Sequence, residues 1–209
     1  MAVDLNLFIH LHPEGQRLIR GWFERAQQER DCPDRGSFEP FIFAWIAFNA
    51  WGCCVTGEDY DRQMINALKE DEHLNRLFAE HLENEDAGLS QAARDFQSYW
   101  PIFKVQDLRH RGIWQRHNGN RADIVREYLD GGADTYDPQV EGHPGAMGDQ
   151  IPLSWTNTLP AIYRVRCNLF HGEKSIRSEM DQRIVGSAFR VLVPFFELVL
   201  GFEEEEPEV

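Results

Sequence analysis

The chain predicts an all-α protein, a compact helical bundle carrying one long Gly/Pro-rich loop. Three observations lead there. Apolar residues recur at three- and four-residue spacing along most of its 209 residues. The segment SFEPFIFAWIAFNAWGCCV is apolar nearly all round, as a central bundle helix is. No stretch alternates as a strand does, and no internal repeat is found.

The first helix is expected over 14–30, with Leu18, Ile19, Trp22, Phe23 and Ala26 on one face and Pro13 in its opening turn. The apolar helix follows, with Ser37 as N-cap and Pro40 near its first turn. Asn49 lies inside it, and a buried amide there must tie helices together or reach a site. Residues 58–83 read as one broken helix or two short ones, and 89–100 as another, ended by Pro101. Residues 120–130 make the next, stopped by Gly131-Gly132. The span 131–153 is rich in Gly, Pro and Asp without periodicity, a long loop. Order returns with SWTNTLPAIYRVRCNLFHG, for which Thr158 is the expected cap, Pro160 the first turn and Gly172 the stop. Ser178 to Asp181 has the form of a capping box opening a last helix to about Leu200, with a kink expected at Pro194.

The whole reads as one domain over 1–202 and a disordered acidic tail at 203–209. A net charge of −14 disfavours a broad surface for nucleic acid or anionic lipid, while leaving room for a local basic site. The four cysteines form no CxxC pair, and neither a zinc framework nor a disulfide scaffold is called for. His10 and His12 form an H-x-H pair with no matching ligand set downstream, so capping is its expected role. No cofactor or metal is expected. The start lacks a secretory pattern, and the most apolar stretch looks too short and too interrupted to span a bilayer. The expected location is the cytoplasm, with no membrane partner.

Chemistry concentrates in RVRCNLFHG, residues 164–172. On an ideal helix Arg164, Asn168 and His171 share a face, and Arg166 lies about 140° round from His171. Histidine moves protons near neutrality, and arginine forks onto phosphate oxygens. Such a set suits cleavage of an RNA phosphodiester, with the 2′-hydroxyl as nucleophile. The bland alternative is that cations simply favour a helix C-terminus. Cys167 and His171 also stand at i and i+4, a conceivable nucleophile pair. A second basic island spans 104–121, with Lys104, Arg109, Arg111, Arg116 and Arg121 against Asp107, and Trp114 offers a ring for a base. A solvated loop paired with acids elsewhere explains that island equally well.

YRVRCNLFHGEKS resembles the motif region of the HEPN superfamily, whose ribonuclease members carry R-x4-6-H. Arg166 to His171 satisfies that spacing with four intervening residues, Arg164 to His171 with six. WIAFNAWG and the last helix, SEMDQRIVGSAFRVL, are similar to the same bacterial branch. The resemblance implies a HEPN-like bundle that forms a homodimer with two motifs facing across a cleft. It implies a metal-independent endoribonuclease acting by 2′-OH transesterification, in a toxin–antitoxin or phage-defence setting with a cognate antitoxin or regulatory protein. Arg166, Asn168 and His171 are then catalytic. Arg164 and Lys174 are then expected to contact flanking phosphates and Asn49 to support the motif, while Arg109, Arg111 and Trp114 of the second basic island are the expected RNA track. The family usually has Asn or Asp directly after the motif arginine; here that position is Cys167. The alternative is a non-catalytic HEPN-like module that binds RNA, nucleotide or a partner protein.

Overall fold

In the computed structural model of the chain, which describes residues 3–29, 37–83, 88–131 and 146–202, every regular element is a helix. A short α1 (Asn6–Ile9) leads into α2 (Pro13–Glu29), then α3 (Phe38–Thr56), α4 (Asp61–Glu70), α5 (Glu72–Glu83) and α6 (Gly88–Gln97). Next come two short helices, α7 (Val105–His110) and α8 (Ile113–Arg116), then α9 (Arg121–Gly131). A 3₁₀ turn (Gly148–Gln150) precedes the long closing pair, α10 (Trp155–Phe170) and α11 (Glu179–Phe202).

The apolar helix is central, as its composition demands. Among its many neighbours, α2 and α11 pack most extensively on α3, and α4 follows. Aromatic rings fill the space between them. Trp155 and Phe195 have centroids 4.2 Å apart, and Phe48 meets Phe196 edge to face at 5.5 Å. The helices α3 and α4 approach closely at Gly52, where an added Cβ would stand 2.5 Å from the Met64 sulfur.

A second, smaller core lies apart from this one. Phe103, Leu108, Ile113, Ile124 and Tyr128 from α7, α8, α9 and the strand-less segment before them pack on each other. This unit includes residues 101–119, a span whose weak periodicity gave no helix in advance. Polar clamps join it to the bundle. The Asn168 amide donates to the Phe103 carbonyl at 2.8 Å and accepts from the Val105 N–H at 3.2 Å. The Arg121 guanidinium donates to the carbonyls of Tyr99 and Pro101, and Arg109 pairs with Glu173.

Several local expectations are corrected. The helix α10 starts a turn before Thr158. Its cap is Ser154, whose hydroxyl accepts from the Asn157 N–H at 3.3 Å, and the Thr158 hydroxyl donates back to the Ser154 carbonyl at 2.7 Å. Pro160 therefore lies inside α10, past its first turn. Pro194 lies inside α11, where the kink is expected. Ser37 sits at the start of α3 without a capping hydrogen bond from its side chain. At α11 only half of the capping box forms. Ser178 accepts from the Asp181 N–H at 3.2 Å, while the Asp181 carboxylate turns to Lys174 and to the Ser175 N–H.

The segment over Phe38–Thr56 is neither short nor interrupted, since α3 is an unbroken 19-residue helix. By length and composition both it and Glu179–Gly201 could cross a bilayer, yet 56% and 72% of their most apolar windows are buried inside the bundle. Of the loop 131–153, residues 132–145 lie outside the described residues, as does the tail 203–209.

Candidate functional site

The end of α10 is built by its stop. Gly172 takes φ +70° and donates to the Leu169 carbonyl, and the Glu173 N–H returns to the Asn168 carbonyl at 2.8 Å. This Schellman arrangement needs a residue without a Cβ penalty in the left-handed region, which glycine supplies. It leaves His171 as an exposed C-cap at the mouth of a cleft.

That cleft has a volume of about 640 Å³ and lies between α4 and α10. From α10 it receives Tyr163, Arg164, Cys167, Asn168 and His171, so the predicted shared face exists. From α4 it receives Arg62, Asn66 and Lys69, at i, i+4 and i+7. Two helices thus present polar stripes of the same spacing to one space. Lys104 closes one side, and the acids of the lining are Glu70 and Glu173. Lys69 pairs with Glu70 at 3.7 Å and Lys104 with Asp107 at 2.8 Å, and with Arg62 and Arg164 added the basic groups still outnumber the acids, a local cationic excess on an acidic chain. The α4 residues escaped the sequence reading, although their i, i+4, i+7 spacing was the available signal. In the sequence Lys104 stands out only as part of the basic island over 104–121.

Arg166 faces another way. Its guanidinium pairs with Asp61 at 2.9 Å and lies over the rings of Phe170 (4.7 Å), Trp45 (5.7 Å) and Tyr163 (6.0 Å). Asp61 also accepts from the Asn49 amide at 3.0 Å. Asn49 therefore ties α3 to α4, and through Asp61 reaches the motif arginine. Tyr163 stacks on Trp45 and hydrogen-bonds with Cys167. Burial pushes the Tyr163 pKa up to about 12; Cys167 and Asp61 add to the rise, and Arg166 opposes it.

Within one chain the predicted set does not converge. Asn168 is buried with both ends of its amide held by backbone, so it positions the α7 segment instead of orienting Arg166 or His171. Lys174 is withdrawn from any strand of RNA: its side chain is 6% exposed, and it pairs with Asp181 at 2.6 Å. Burial lowers its pKa, and Asp181 works against that fall. Arg109 pairs with Glu173 and lies 5.4 Å over the Trp114 ring, which occupies one of the ring's faces. Arg109, Trp114 and Lys174 line a different cavity from His171. Arg111 is exposed at the C-cap of α7, outside the cleft lining. His12 caps α2 by accepting from the Glu14 N–H at 3.3 Å. Among the described residues no group of three or more His, Cys, Asp or Glu side chains is placed to hold a metal.

No family model, curated protein or solved structure matches the chain.

Proposed function

We propose that the protein is a HEPN-like, metal-independent endoribonuclease working as a homodimer, with its chemistry in the cleft between α4 and α10. The observation that carries this reading is that Arg164 and His171 line the same cationic cleft. This pair is the longer-spaced form of the R-x4-6-H motif. Arg164, instead of Arg166, then holds the scissile phosphate, and Arg62, Lys69 and Lys104 receive its neighbours. His171 takes the 2′-hydroxyl proton. The 2′-oxygen attacks phosphorus, the bond to the 5′-oxygen breaks, and that oxygen leaves with a proton from solvent. The products are a 2′,3′-cyclic phosphate and a 5′-hydroxyl.

A second copy docks, in this reading, on the face around the Arg166–Asp61 pair. Tyr60 and Phe170 flank that pair, 72% and 50% exposed. Ideal helix geometry sets Ile42, Ile46 and Asn49 of α3 on one face beside it, each only partly buried.

The test is cleavage of a broad RNA set in excess EDTA, with end-group analysis. Wild type is expected to yield cyclic-phosphate ends. The His171→Ala change is expected to cost about 10²–10⁴-fold, and Arg164→Ala about 10²–10³-fold. Absence of cleavage by folded protein would favour the binding-module reading. The commitment of Arg166 to Asp61 and of Asn168 to backbone supports that second reading.

A further inference from the structure

The α7–α9 unit leaves a seam against the bundle. Between its small core and the start of α11 lies a cavity of about 450 Å³, within the range of small-molecule sites. Its walls are apolar, with Phe103, Leu108, Ile124, Ile184 and the Trp114 ring among them.

The charged groups of the lining are Arg109, Arg121 and Lys174 against Glu173 and Asp181. Arg109 pairs with Glu173 and Lys174 with Asp181, so Arg121 is left with no carboxylate of its own among the described residues. Its two hydrogen bonds to protein both leave from Nη2, towards the carbonyls of Tyr99 and Pro101. A guanidinium carries five N–H donors, so Nη1 and Nε keep three. Burial lowers the Arg121 pKa to about 10, with Asp181 and Tyr99 holding it up, so the group is charged at neutral pH. Arg121 is partly buried and shares the field of Asp181 with Lys174, which Asp181 contacts directly, so an anion entering the cavity would give it a carboxylate of its own.

We propose that this cavity binds a small, largely apolar monoanion, an aryl or branched-alkyl carboxylate. The carboxylate pairs with Arg121, as forked guanidinium–carboxylate contacts do, and the apolar body fills the seam. Because Asn168 and Glu173 line both this cavity and the cleft of His171, an occupant would stiffen the wall between them.

The experiment is a methyl NMR titration of the full chain with benzoate, 4-phenylbutyrate and indole-3-propionate, each beside its primary amide. At least one acid is expected to move the methyl signals of Ile124, Ile184 and Met180 and leave Ile19 of α2 unmoved. Its amide is expected to bind roughly tenfold more weakly, the loss of a charge-assisted contact. The Arg121→Gln change should erase that preference. Met180→Trp, at a residue 41% exposed on the cavity wall, should weaken binding with Arg121 intact, which decides the matter if the first variant fails to fold. Amides that bind as tightly as acids would overturn the proposal, as would methyls left unmoved by all three acids at millimolar concentration. RNA is absent from every arm, so the result stands apart from the ribonuclease reading.

Discussion

Two arginines two residues apart on α10 meet different fates, and the difference is testable residue by residue. Arg166 is held by Asp61 and lies against three aromatic rings, whereas Arg164 lines the cleft. Replacing Asp61 by Ala removes the acceptor of both Arg166 and Asn49. A loss of about 1–2 kcal/mol is expected in urea unfolding, the range for a partly buried pair deprived of one member. Arg164→Ala is expected to remain folded by circular dichroism, with its deficit in RNA cleavage. Asn168→Ala strips partners from the buried Phe103 carbonyl and Val105 N–H. The expected cost is about 2 kcal/mol, and hydrogen exchange at the Val105 amide should accelerate. Tyr163 links this cluster to pH. Its folded-state pKa is raised from 10.0 to about 12, so the fold favours the neutral phenol. That contribution is complete below pH 10 and is lost as pH climbs towards 12. Tyr163→Phe should flatten this part of the alkaline stability profile. An unchanged slope would refute the assigned burial.

At the scale of elements, the α7–α9 unit is the most informative part of the chain. Its core is small, so it relies on Asn168, Arg121 and the Arg109–Glu173 pair to stay docked. Gly119 is the tightest point inside it. It adopts φ +70°, and a Cβ there would stand 2.9 Å from Cζ2 of Trp114. Gly119→Ala is expected to cost about 1–3 kcal/mol, from left-handed strain and overpacking together. The Trp114 fluorescence should shift, because the ring must move off Gly119. This unit also shows why residues 101–119 were opaque in advance. Helices as short as α7 and α8 give too few turns for a periodic pattern to register, and their burial comes from partners far along the chain. In contrast, α3 and α11 declare themselves, since long runs of apolar residues have few places to go but a core.

Over the whole molecule, stability should be uneven. The amides of α3 and α11, deep in the large core, are expected to exchange only on global unfolding. Those of α7 to α9 should open at lower free energy, which native-state hydrogen exchange against denaturant would resolve as two sets. The proposed homodimer belongs to the same scale. Sedimentation velocity should report a dimer, and Phe170→Glu, which places a charge on the exposed face beside Arg166, should return monomer. A wild-type chain that remains monomeric at high concentration would remove the dimer from the proposed function.

The sequence by itself determined the helical class, most of the long helices, the central place of 38–56, the Gly172 stop and the shared face of Arg164, Asn168 and His171. Each of these is local or periodic information, written in residues within a few turns of one another. Tertiary structure alone decided which polar groups are free to act. The partner of Arg166 is Asp61, that of Lys174 is Asp181, and those of Asn168 are the backbone of 103 and 105. Whether a charge is neutralised, an amide committed or a histidine exposed depends on which distant segment packs against it, and one-dimensional spacing does not carry that.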